Sequence, residues 1–143
     1  MSAIVETITD NGKAILASTL TDFTELDYEY EVVKNNLKGN YKRYGFISLG
    51  GIFREGDLQR NVTIDHDFQC ILVSDFFDKG SSEKATEAKN LLFESAHTVL
   101  KNFITNKIGG ILVNGINFEE PEFEDDICIL RMNINVRYRY SIY

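Results

Sequence analysis

The sequence predicts an α+β fold: a mostly antiparallel β-sheet backed by one long helix and an N-terminal helix, within one domain spanning residues 1–143. Two stretches carry the sheet. From Cys128 to Ile142 every second residue is apolar or aromatic, and in 61–76 Val62, Ile64, His66, Phe68, Cys70 and Leu72 alternate with Thr63, Asp65, Asp67, Gln69, Ile71 and Val73. A period of two is that of a strand, whose successive side chains point to opposite faces. A third stretch carries the long helix: Ala85, Ala88, Leu92, Ala96, Val99 and Phe103 recur at helical spacing within 78–107.

Taken in order, residues 2–20 place Ile4, Val5, Ile8, Ile15, Leu16 and Leu20 near one helical stripe, with Asn11-Gly12 expected to weaken or break its middle. "DYEYEVV" (27–33) alternates aromatic and acidic residues and reads as a short strand. "NNLKGN" (35–40) is turn chemistry, since Asn and Gly tolerate positive φ. "YKRYGFISLGG" (41–51) reads as a second strand and "FREGDLQR" (53–60) as a polar loop. In strand 61–76 the second face turns from polar to apolar, which predicts solvent on that side at first and cover on both sides later.

Helix 78–107 has Ser81 or Ser82 as N-cap, acids Glu83 and Glu87 in its early turns, and Gly109-Gly110 as its stop. A short strand, "ILVNGINF" (111–118), and an acidic loop, "EEPEFEDD" (119–126), lead into the final strand; Phe123 is expected to tuck against the sheet. That last strand poses a problem of reach. Fully extended, residues 127–142 span about 50 Å. A compact chain of this length is roughly 37 Å across. Continuation of the strand into the sheet of an adjacent subunit would take up the excess and satisfy its edge.

The 143 residues are 43% hydrophobic, with ten Phe and seven Tyr, so they can bury a core without disulfides or metals. The two cysteines, Cys70 and Cys128, both lie in alternating runs and read as buried reduced thiols. No basic-plus-apolar N-terminal signal and no apolar run of membrane-spanning length is present, which predicts a reducing cytosol, or a particle assembled there, and no membrane partner. The net charge is −7; the last 17 residues carry Arg131, Arg137 and Arg139 without an acid, so the first 126 hold −10. Such a chain is ill suited to wrapping a duplex but suits a surface past which DNA slides.

Few residues offer chemistry. Asp65 and Asp67 share one face of a strand about 7 Å apart while His66 points the other way, so the three do not converge on a metal from a straight strand. A metal-binding enzyme using Asp65, Asp67 and His66 stays the sharper alternative to a solvated carboxylate pair. His97 with Cys70 makes a nucleophilic pair only if folding brings them together. "SLGGIFREG" (48–56) lacks the Lys-Ser/Thr of a phosphate loop, and a bulge or tight bend explains its glycines better.

The acids Glu119, Glu120, Glu122, Glu124, Asp125 and Asp126 read as a solvated loop, or as one facing another subunit or a DNA channel; the alternation around a central Gly that a calcium loop needs is missing. Arg131, Arg137, Tyr138, Arg139 and Tyr140 have the composition of a subunit interface, the arginines being either solvated or matched to acids of a neighbouring chain. No catalytic residue and no cofactor is assigned. An adaptor that binds peptides by edge-strand pairing is a further reading.

The order of parts, with "YGFISLGG", "TIDHDFQCIL" and an acidic stretch leading into "NINVRYRY", resembles the tail-terminator (tail-completion) proteins of tailed bacteriophages over most of residues 3–140. The resemblance implies a non-catalytic virion protein, assembled in the host bacterial cytoplasm. Its copies would form a hexameric ring that caps the tail tube, ends tail polymerisation and joins the tail to the neck and head. The implied partners are further copies of itself, the tail tube protein, the tail sheath protein if the tail contracts, and a neck or connector protein. DNA would pass through the lumen without specific binding. Another neck or connector protein is the nearest alternative.

Overall fold

The computed structural model describes residues 2–25, 42–54, 61–75, 82–106, 112–124 and 127–141. Its elements are α1 (Ser2–Thr19), β1 (Thr24–Glu25), β2 (Lys42–Arg54), β3 (Asn61–Asp75), α2 (Ser82–Asn106), β4 (Leu112–Phe118), β5 (Glu122–Glu124) and β6 (Ile127–Ser141). The strands form one sheet in the order β1-β2-β3-β6-β4, with β5 also on β6. Every pairing is antiparallel except that of the two-residue β1 with β2. The α+β expectation holds. The expected strand 27–33, the turn 35–40, the Ser81 cap and the Gly109-Gly110 stop lie outside the described residues.

Both helices cover the same face of the sheet. The apolar set predicted for each element meets there: Ile8 and Leu16 of α1, Leu92, Ala96, Val99 and Phe103 of α2, Phe46 of β2, Phe68, Cys70 and Leu72 of β3, and Cys128, Leu130, Met132, Ile134 and Val136 of β6 are all buried. Phe46 stacks on Phe68 at 5.4 Å between ring centres, and Phe103 of α2 lies against Phe46 at 5.7 Å. Asn102 Nδ2 donates to Thr19 Oγ1 at 2.6 Å, tying the end of α2 to that of α1.

Helix α1 runs unbroken through Asn11-Gly12, against expectation. A Cβ at Gly12 would sit 2.7 Å from Phe46 Cδ2 and Cζ, so the glycine serves close approach of helix to sheet rather than helix breaking. Strand β2 extends through Phe53 and Arg54, which the sequence placed in a loop. It carries the expected bulge, between Ser48 and Gly50. On the other face, Ile47, Ile71, Val73, Ile127 and Ile129 form a second buried cluster at one end of the sheet, so β3 is covered on both sides there, as its pattern predicted.

The final strand overturns the reach argument. β6 is an interior strand: β3 pairs with all fifteen of its residues, from Asp75↔Ile127 to Asn61↔Ser141. Its other edge takes β5 at Ile127–Ile129 and β4 at Met132–Arg137. The length is absorbed by an equally long neighbour in the same chain, because two matched ribbons satisfy each other's backbone groups without a second subunit. Continuation of β6 into an adjacent subunit is therefore not how the strand is used over Ile127–Arg137, and a peptide-binding adaptor would not find its edge there. Among the described residues no helix is long and apolar enough to cross a membrane.

Candidate functional site

The face of the sheet away from the helices carries rungs of polar side chains between β3, β6 and β4. Alternation places them there, and the antiparallel register aligns them. Asp65 stands opposite Arg137, Asp67 opposite Asn135, and Gln69 opposite Asn133. Arg137 Nε donates to Asp65 Oδ1 at 2.8 Å. Asn135 Nδ2 donates to Asp67 Oδ1 at 2.7 Å, and Asn114 Nδ2 donates to Asn135 Oδ1 at 3.0 Å. In the next rung Gln69 Nε2 donates to Asn133 Oδ1 and to Glu119 Oε2, both at 3.0 Å, and Asn133 Nδ2 donates to the same Glu119 oxygen at 2.9 Å. Glu119 is held in place by its own backbone N–H, which donates to the Arg131 carbonyl at 2.9 Å. Arg131 in turn pairs with Glu122 of β5.

A groove of about 520 Å³ opens over the Asp67 and Gln69 rungs, lined by Leu49, Asp67, Gly115, Ile116, Asn117, Glu119, Asn133 and Asn135. Its shape comes from two bulges at one level of the sheet. β2 bulges at Ser48/Gly50 and β4 at Val113/Gly115, and the resulting row reads Gly50–Asp67–Asn135–Gly115 across four strands. Beyond the glycine itself and its chain neighbours, no atom lies within 4 Å of where a Cβ would stand at either position. The row is bare at both ends and polar in its centre.

His66 lies on the other face, as expected for the residue between two aspartates. Its Nε2 is 2.6 Å from Ser48 Oγ and its Nδ1 3.5 Å from Tyr138 Oη, while its ring stacks on Phe68 at 4.7 Å. Burial lowers its pKa, and the nearby Asp67 charge opposes that shift. Ser, His and Tyr thus form a hydrogen-bonded cluster at the margin of the core. The DHD motif is divided between two faces, and among the described residues no three His, Cys, Asp or Glu side chains are placed to hold a metal. His97 is exposed on α2 and packs on Phe93 and Phe118. Cys70 is fully buried, and burial pushes its thiol far up; Cys128 is pushed up to about 11, with Lys89 opposing.

One of the expected interface residues needs correction. Tyr138 is buried in the main core, with only 6% of its surface exposed, so it is not a subunit-contact residue in this fold. Arg131 and Arg137 each pair with an acid of their own chain, Glu122 and Asp65, while their side chains stay 26% and 41% exposed. Arg139 and Tyr140 pair through their backbones with Thr63 and Val62, and their side chains lie outside the described residues.

The acidic segment is not wholly a solvated loop. Glu122–Glu124 is a strand on β6, and Glu119 and Glu122 are tied to the sheet; Glu120 is exposed. Asp125, Asp126 and the Glu124 side chain lie outside the described residues. Phe123 does not tuck in: it is 49% exposed. Sequence reasoning missed Gln69, Asn133 and Asn135 as a connected set. Their signal was present as the polar residues alternating on two strands, but only the register between those strands joins them.

In comparisons with known proteins, no protein-family model matches this chain, and no curated protein matches it.

Proposed function

We propose that the chain is a structural ring subunit of a tailed-bacteriophage virion. Copies assemble into a ring, hexameric by likeness to the tail terminators, that caps the tail tube, ends its polymerisation and joins the tail to the neck and head. The observation that carries this reading is the resemblance itself, and its segments are the sheet's central parts. "YGFISLGG" lies in β2, "TIDHDFQCIL" in β3 and "NINVRYRY" in β6, while the acidic stretch before it supplies β5. The described chain keeps the two helices and the strands that carry these segments in the expected sequence, with β5 added between β4 and β6.

The interior position of β6 changes how such a ring would be joined. Its edges are taken over Ile127–Arg137, so subunits in this reading meet through the outer edge of β4 or through the helix-free face. The surplus of acids suits a lumen through which DNA passes without adhering. The partners are other copies, the tube protein, a sheath protein where the tail contracts, and a neck or connector protein. The location is the virion tail, after assembly in the host bacterial cytoplasm.

Light scattering after size exclusion, negative-stain imaging, and addition of the protein to purified tail tubes test the proposal together. Rings of uniform size, or protein bound only at tube ends, are the expected outcome. A protein that stays monomeric at all concentrations and leaves tube ends bare would overturn it.

A further inference from the structure

The groove on the helix-free face has a chemistry of its own. Its floor presents two carboxylates, Asp67 and Glu119, fixed by amides rather than by cations. Asn135 holds one oxygen of Asp67, and Gln69 and Asn133 both hold Oε2 of Glu119. Amide donors orient a carboxylate but do not neutralise it. The cations in the flanking rungs are already engaged, Arg137 with Asp65 and Arg131 with Glu122. The floor therefore keeps two negative charges and the acceptor capacity of Asp67 Oδ2 and Glu119 Oε1. Its rim carries one exposed aliphatic side chain, Leu49, 50% exposed on the β2 bulge.

We propose that this groove docks an extended, basic segment of a partner protein. Carboxylates below and the Leu49 side chain at the rim match the two parts of Arg or Lys, whose stems pack on apolar surface while their heads seek acids. The bare Gly50 and Gly115 ends leave room for a backbone to approach. Asp67 and the Gln69–Asn133 rung that holds Glu119 are neighbours on one face, about 7 Å apart. Residues two apart in an extended peptide have the same spacing, so the preferred segment carries basic side chains at positions i and i+2. This inference stands on the open face alone and does not depend on the ring reading.

The test is a titration of the isotopically labelled full chain with the peptide acetyl-Arg-Gly-Arg-amide, followed through the side-chain amide NMR signals of Asn117, Asn133 and Asn135. Saturable shifts centred on those signals are expected, with affinity falling about tenfold or more in the double variant Asp67→Asn, Glu119→Gln. Thermal unfolding checks that this variant is folded. Leu49→Arg, at an exposed site, provides a second arm, because its guanidinium should occupy the groove and exclude the peptide. The proposal is overturned if millimolar peptide moves none of these signals, if a citrulline peptide moves them equally, or if both variants bind undiminished. Spermine saturating the same signals at lower concentration than the arginine peptide would replace the protein segment with a small polycation.

Discussion

Asp65 and Arg137 face each other across β3 and β6 with Arg137 Nε 2.8 Å from Asp65 Oδ1, and the acid is the more buried of the two, its side chain 11% exposed against 41% for the arginine. The asymmetry sets the cost of breaking the pair. Removing the guanidinium takes the Arg137 charge away from a largely buried carboxylate, whereas removing both charges leaves no carboxylate to compensate. Arg137→Met is expected to lower the thermal midpoint, and adding Asp65→Asn to recover part of the loss. A double variant no more stable than Arg137→Met alone would show that the pair is not the source of the effect.

Gly12 sets the distance between α1 and the sheet. Alanine is the better helix former by roughly 1 kcal/mol, but its methyl group would press into the Phe46 ring. Overpacking of this kind costs about 1–3 kcal/mol. Gly12→Ala is therefore expected to destabilise in urea denaturation despite its helix propensity, and Phe46→Leu in the same chain to relieve much of the penalty. A Gly12→Ala chain as stable as the parent would mean that α1 can move away from β2 freely.

His66 makes stability depend on pH in a defined direction. Burial lowers its folded pKa below the unfolded value of 6.5, so in the interval between them the unfolded chain binds a proton that the folded chain does not. The stability is fully present above about pH 6.5. It falls as the pH drops below that value and levels off under the folded pKa. Ser48, Tyr138 and Phe68 face the ring, and Asp67 is its neighbour in the chain, limiting the shift. Urea midpoints measured from pH 8 to pH 5 should decline more steeply for the parent than for His66→Gln. Parallel declines would assign the pH dependence to other groups.

The two cysteines should stay reduced and inert while the chain is folded. Cys70 pairs with Met132 and Cys128 with Ser74, four rungs apart on β3 and β6. That is about 13 Å along the strands, well beyond disulfide reach. With a pKa of about 11, Cys128 is thiolate in about one molecule in a thousand at pH 8. Iodoacetamide followed by intact-mass measurement should show both thiols unmodified until denaturant is added. Rapid modification in native buffer would contradict the burial of both.

Much of this fold was legible because periodicity is a local property. The alternation of 61–76 and 127–142 and the helical stripe of 78–107 gave elements close to β3, β6 and α2, and with them most of the core on the helix side. The glycines of "SLGGIFREG" announced the β2 bulge. Gly12 misled because its conformational cost is local, while its use depends on Phe46, far away in the chain. Tyr138 misled for a related reason: a strand pattern assigns a face but does not say how deeply that face is covered.

The sequence by itself determined the alternating and helical periods, hence the α+β class, the acidic balance and the division of Asp65, His66 and Asp67 between two faces. Only the tertiary structure decided that β6 lies inside the sheet, that Arg137 and Arg131 answer to Asp65 and Glu122, and that two bulges open a groove above Asp67 and Glu119. The physical reason is register. Which residue of one strand stands beside which residue of another depends on how ribbons distant in the chain slide together, and no single ribbon carries that information.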